Sequence, residues 1–219
     1  MELFSTLLDF VLHLDRHVSA LLAQYHYWFY AILFLVIFGE TGFVVTPFLP
    51  GDSLLFAVGT LTAIDSSGTL QLPLLLVLLI VAAVAGNTVN YFIGRHLGRA
   101  VFTGHSRYFR QEYLLRTEGF FARHGGKAVV LSRFLPFLRT FAPFVAGVGR
   151  MNWARFQGYN LVGGVCWVLL FTVAGYLFGN VPLVKNNFGL VTLAIVALSL
   201  LPLIWVAWQE RAVGGGRNP

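Results

Sequence analysis

From Leu74 to Ile93 the chain runs for about 20 residues without a charged side chain, enough helix to cross the ~30 Å hydrocarbon layer of a bilayer. Phe156–Phe178 is a second such run and Phe188–Trp208 a third. In lipid no water is present to satisfy peptide groups, so such runs must be helices or closed barrels, and runs this long and uninterrupted are helices. Composition agrees. Only 11% of residues are charged and 57% are hydrophobic, with mean hydropathy +0.74, whereas a soluble domain carries about 25% charged residues. The chain reads as an all-α integral membrane protein of one domain, residues 1–219.

The formal charge of +6 does not point to nucleic acid, because the basic residues gather at segment ends and in one loop. Arg95, Arg99, Arg107, Arg110, Arg116, Arg123 and Lys127 mark that loop as cytoplasmic, and Arg211 and Arg217 put the C-terminus on the same side. The single cysteine, Cys166, excludes an intramolecular disulfide. The N-terminus has Glu2 and Asp9 but no basic stretch of the secretory-signal kind. Residues 2–24 alternate polar and apolar groups at helical spacing, and 107–123 do so more weakly. Both suit helices lying in the membrane interface or packed on the bundle.

Two apolar segments are broken. Thr46-Pro47-Phe48-Leu49-Pro50-Gly51-Asp52 interrupts residues 28–61, and Pro136 and Pro143 interrupt Ala128–Gly149. The arm Ser53–Leu61 and both arms of the second segment are too short to span, while Trp28–Val45 is nearly long enough alone. Basic residues flank the second segment on both sides, Lys127 before and Arg150 and Arg155 after, so it reads as a re-entrant hairpin from the cytoplasm. The order amphipathic helix, broken hairpin, full span occurs twice, at about 2–94 and 105–179, followed by a last span at 188–208. One span and the loop lie between the copies, which makes the second copy inverted, an arrangement typical of transporters.

Four charged residues lie in the broken hairpins: Glu40 and Asp52 in the first, Arg133 and Arg139 in the second. A charge at the centre of a membrane helix costs about 2.5–3.5 kcal/mol, so these must be paired, hydrated or protonated. Two acids facing two arginines across opposed hairpins is the simplest arrangement. Asp52 could instead only cap the second arm, and Glu40 could be a purely structural partner. Arginine also suits the phosphate of a lipid headgroup, which would displace a carboxylate that then takes a proton. Asn87, Asn90 and Tyr91 place amides and a phenol on the following span, and Ser132 and Thr140 add hydroxyls beside the arginines. These could line a groove or simply join helices. The tryptophans, Trp167 included, read as interface anchors or packing. No histidine lies in either hairpin, and His96, His105 and His124 show no metal-ligand spacing, so neither metal nor cofactor is expected.

At these residues the chain resembles the DedA family of bacterial inner-membrane proteins, related to eukaryotic phospholipid scramblases with the same domain. Three motifs carry the resemblance. The first is Glu40-Thr41-Gly42 with Pro47-Phe48-Leu49-Pro50-Gly51-Asp52. The second is Gly86-Asn87-Thr88-Val89-Asn90-Tyr91-Phe92-Ile93-Gly94-Arg95. The third is Ser132-Arg133-Phe134-Leu135-Pro136-Phe137-Leu138-Arg139-Thr140-Phe141-Ala142-Pro143, running on to Ala146-Gly147. Asn87 departs from the family, many of whose members carry an acid there. The resemblance implies movement of undecaprenyl phosphate or phosphatidylethanolamine, often dependent on the proton motive force, with the essential acids and arginines falling on Glu40, Asp52, Arg133 and Arg139. The expectation is thus a multi-pass translocase of the bacterial inner membrane and not an enzyme, with a lipid, the bilayer and protons as partners and oligomers open. A lipid phosphatase would need a nucleophile and usually a histidine, for which the hairpins offer only Ser132. An exporter of small ions or metals would have its cation repelled by the arginines.

Overall fold

The computed structural model describes residues 27–43, 51–65, 68–97 and 124–178, with isolated positions outside them. The regular structure among these is helical: α1 (Trp28–Gly42), α2 (Gly51–Ile64), α3 (Leu72–Leu97), α4 (Ala128–Leu131), α5 (Pro136–Val148) and α6 (Trp153–Phe178). Short 3-10 turns at Gly125–Lys127 and Ser132–Phe134 flank α4. The amphipathic segments at 2–24 and 107–123, the turn at 46–50 and the span at 188–208 lie outside the described residues, isolated positions apart.

Helices α3 and α6 have 26 residues each, about 39 Å at 1.5 Å per residue, and both are apolar enough to cross a bilayer. Their outer faces stay apolar, with Val77 61% and Leu177 63% exposed, as a lipid-facing surface requires. Each helix runs past its apolar run. Pro73 sits in the first turn of α3, where its missing N–H breaks no bond, and Arg95 and His96 close the last turn, where cations suit the helix dipole.

The break before Pro136 is present. Leu135 is extended (φ −116°, ψ 106°), as a residue before proline tends to be, and Pro136 opens α5. Pro143 corrects the reading of the sequence: it lies inside α5, which runs for 13 residues to Val148. A buried proline is tolerated where neighbouring groups satisfy the freed carbonyl. Helix α1 also stops at Gly42 instead of running to Val45. Its 15 residues reach about 22 Å and the 14 of α2 about 21 Å, so neither covers ~30 Å.

The broken pairs straddle the long helices. Helix α1 packs on α3 and α2 on α6, while α4 packs on α6 and α5 on α3. Each first arm thus rests on the long helix that follows it in the chain, and each second arm rests on the other. Both ends of a pair lie close together. Tyr30, near the start of α1, donates its hydroxyl to the carbonyl of Thr69 (3.1 Å) and accepts the N–H of Gln71 (2.8 Å), beyond the end of α2. In the second pair Gly126, before α4, lies against Tyr159 in the second turn of α6. Helices α3 and α6 are antiparallel where they touch. Thr88 meets Gln157 and Val84 meets Asn160, so one number falls as the other rises. The open ends of the two pairs therefore lie at opposite ends of the α3–α6 pair.

Close backbone approach fastens the second arms. A Cβ on Gly59 of α2 would collide with the carbonyl of Thr172, and one on Gly175 of α6 with that of Phe56. The same motif recurs between α5 and α3, where Gly147 meets the carbonyl of Tyr91 and Gly94 that of Phe144. Small residues of this kind let membrane helices pack tightly.

Candidate functional site

Three of the four charged hairpin residues meet at one guanidinium. Arg139, in the first turn of α5, hydrogen-bonds Glu40 Oε1 through Nη2 and Asp52 Oδ1 through Nη1, the latter at 2.6 Å. All three residues are buried. Glu40 lies near the C-terminal end of α1, where the helix dipole disfavours an anion, whereas Asp52 lies in the first turn of α2, where it favours one. The two arms meet closely. A Cβ on Gly51 would collide with the Glu40 carboxylate, so any larger residue at that step into α2 would push the carboxylate from its present place on Arg139.

Trp167 completes this half of the site. Its Nε1–H donates to Asp52 Oδ1 at 2.8 Å. Its ring centroid is 5.0 Å from the guanidinium carbon of Arg139 and 6.0 Å from that of Arg133, so both cations face one indole. Of the two readings of Trp167, interface anchor or packing, the structure thus favours packing. Trp167 is fully buried near the middle of α6, and its central position in a long apolar run was the signal that it could not reach an interface.

Among the described residues Arg133 pairs with no acid. Its partners there are neutral: Nη2 donates to Asn160 Oδ1 at 2.6 Å and to the carbonyl of Ala83 at 3.3 Å. Nε and Nη1 have no hydrogen-bond partner there. The side chain runs along two glycines of α6. A Cβ on Gly163 would stand 3.0 Å from Arg133 Cδ, and one on Gly164 3.4 Å from Nη2. Two acids facing two arginines is thus corrected to one arginine holding both acids and one held by an amide. The reason is geometric: Arg139 sits where both arms of the first pair end, and Arg133 sits on the far side of the break at Leu135.

Asn160 is a residue that the sequence analysis passed over, although the amides of Gln157 and Asn160 at the start of an apolar run were a visible signal. Its Nδ2 donates to the carbonyl of Val84 and to Gln157 Oε1, both at 3.0 Å, and its Oδ1 also accepts Asn87 Nδ2 at 3.2 Å. Asn87 thus faces the site through Asn160. Asn90 acts differently, donating to the carbonyls of Thr41 (3.2 Å) and Thr140 (2.8 Å) and so joining the end of α1 to α5. Ser132 turns back on its own helix, bonding the carbonyl of Val129 at 3.0 Å. Tyr91 is committed elsewhere. Its hydroxyl donates to the carbonyl of Met151 (2.5 Å) and accepts from Arg95 (3.0 Å), and its ring stacks on Phe156.

The family model for the VTT domain matches residues 49–177. The chain is 50% identical over 214 residues to the protein DedA of Escherichia coli (strain K12), covering 97% of each chain. It is 43% identical over 176 residues to an uncharacterized membrane protein of Mycobacterium leprae (strain TN), covering 80% of this chain and 78% of the relative. To the inner membrane protein YqjA of Escherichia coli (strain K12) it is 34% identical over 190 residues, covering 83% and 85%. No solved structure matches.

Proposed function

The chain belongs to the DedA family of VTT-domain membrane proteins, and from that premise we propose that it moves a phosphate-bearing lipid across the bacterial inner membrane with proton coupling. The observation that carries this reading is the buried cluster of two acids and two arginines where the broken helices meet. Fully ionised, the four sum to zero, so an arriving phosphate leaves the cluster one charge short unless a carboxylate is protonated. The phosphate displaces a carboxylate from its arginine, and the freed carboxylate takes the proton. Undecaprenyl phosphate and phosphatidylethanolamine both fit this chemistry. The lipid-phosphatase reading gains nothing, since the Ser132 hydroxyl is bonded within its own helix. A cation exporter is disfavoured because the arginines cancel the two carboxylates.

Liposomes with headgroup-labelled phosphatidylethanolamine or undecaprenyl phosphate, and with labelled digalactosyldiacylglycerol as a phosphate-free control whose sugar headgroup keeps it from crossing unaided, test the reading. The wild type should move a phosphate lipid and not the control. Arg133→Lys should slow this about tenfold, because an ammonium keeps the charge but loses the planar fork. Wild-type rates for the lysine variants of both Arg133 and Arg139 would remove the fork from the mechanism.

The two broken pairs are read as re-entrant hairpins entering from opposite faces, each returning to the side it came from, with the C-terminus in the cytoplasm. The pairing of Tyr30 with Thr69 and Gln71 supports this. In a Cys166→Ser background, single cysteines at the exposed positions Tyr27 and Ile64 should both label from outside intact cells, and one at Arg155 only after permeabilisation. Labelling at only one of the first two positions means that the pair crosses the membrane.

A further inference from the structure

The two arginines differ in what surrounds them, and this divides their work. Arg139 already holds two carboxylates. Among the described residues Arg133 is in ion-pair contact with none, is 1% exposed, and keeps three N–H donors, one on Nε and two on Nη1, without a partner. A buried guanidinium in that state is costly unless an anion joins it. The one charge-assisted bond at normal length that it does make is to the Asn160 amide oxygen. Asn160 is itself fixed by Val84, Gln157 and Asn87, so its carbonyl is held toward Arg133, with the Asn87 amide as the other donor to it. Gly163 and Gly164 complete the seat by giving the arginine stem a bare stretch of α6.

Resting on the phosphate-lipid reading above, we infer that Asn160 is a positioning residue that presents Arg133, through a neutral acceptor, as the receptor for the anionic phosphate oxygen. Arg139 with its two carboxylates is the part that answers by giving up a partner. Neutrality at residue 160 is the essential property. An amide orients the guanidinium without satisfying its charge, whereas a carboxylate would do both and compete with the lipid.

The test compares Asn160→Asp with Asn160→Ala. Flip rates are measured in liposomes of unlabelled digalactosyldiacylglycerol, a phosphate-free host, over a range of labelled phosphatidylethanolamine or undecaprenyl phosphate contents, and thermal stability is measured in detergent. A merely structural amide predicts that transport follows stability in both variants: alanine loses every side-chain bond, while aspartate keeps the Oδ1 acceptor but loses the bonds that Nδ2 donates to Val84 and Gln157. The inference predicts that transport and stability part in the aspartate variant. Asn160→Asp should be at least as stable as Asn160→Ala yet need about tenfold more phosphate lipid for half-maximal rate. Transport by Asn160→Asp equal to or better than that of Asn160→Ala overturns it. Gly163→Ala gives a reading that does not depend on the fate of the aspartate variant. Its Cβ would press on Arg133 Cδ (3.0 Å) and Nε (3.2 Å) and on the Val130 backbone (3.2 Å), so its thermal midpoint is read alongside its transport. It should raise the half-saturating lipid content several-fold at an unchanged maximal rate, and a wild-type value would also overturn the inference. If the wild type moves digalactosyldiacylglycerol as fast as the phosphate lipids, the translocase reading itself fails, an outcome distinct from failure at Asn160.

Discussion

Exchanging Arg139 for glutamine should largely abolish the folded protein, and the triple variant Arg139→Gln, Glu40→Gln, Asp52→Asn should recover folding without recovering transport. Arg139 is the direct cationic partner of two buried carboxylates. Removing one partner of a buried ion pair costs about 3–5 kcal/mol, because the other charge stays desolvated. Here two charges are stranded at once, in a protein whose whole stability is on the order of 5–15 kcal/mol. Protonation of the carboxylates would soften the loss without restoring the cross-link among α1, α2 and α5. In the triple variant neither carboxylate is stranded and three amides can bond one another, while Arg133 alone of the four keeps its charge, already without an ion-pair contact among the described residues, so most of the lost stability should return. The measurements are the thermal midpoint in detergent and the flip rate in liposomes. A single variant with the wild-type midpoint would show that the pair does not hold these helices. A triple variant that transports would show that the charges serve the fold alone.

The second large effect should come from one substitution made at two places in one helix. Gly175→Ala and Gly158→Ala both replace glycine by the best helix former within α6. At Gly158, which has nothing within 4 Å of an added Cβ, the change should stabilise by up to about 1 kcal/mol. At Gly175 the Cβ would strike the backbone of Phe56, which cannot move without shifting α2. Overpacking of that kind costs about 1–3 kcal/mol. Gly94→Ala at the matching crossing of α3 and α5 should behave like Gly175→Ala. Thermal midpoints of the three variants decide the matter: equal midpoints for Gly158→Ala and Gly175→Ala would mean that the crossing yields freely. Transport should fall with the two crossing variants, since α2 and α5 carry Asp52 and Arg139 into the site.

The long helices and the identity of the charged cluster were legible in the sequence because both rest on local quantities. A 26-residue apolar helix announces itself by transfer energy summed along the chain, and a glutamate or arginine inside such a segment is costly wherever its neighbours lie. The break at Pro136 was legible for the same reason, since the residue before a proline is constrained by its own backbone. What these local terms leave open is which costly group satisfies which. Arg133 and Arg139 are equivalent by residue type and lie three residues to either side of Pro136, yet Arg139 holds Glu40 and Asp52 while Arg133 holds Asn160. That choice depends on where α1 and α2 end relative to α5, and hence on helix crossings set by glycines at 59, 94, 147 and 175. Pro143 shows the same limit from the other side. By itself it reads as a second break, but packed against α3 it lies within a continuous helix, because tertiary neighbours can satisfy what the proline frees. Trp167 and Asn160 entered the site in this way too: they became functional candidates only when α6 turned them toward the arginines, and side-chain direction about a helix is decided by packing.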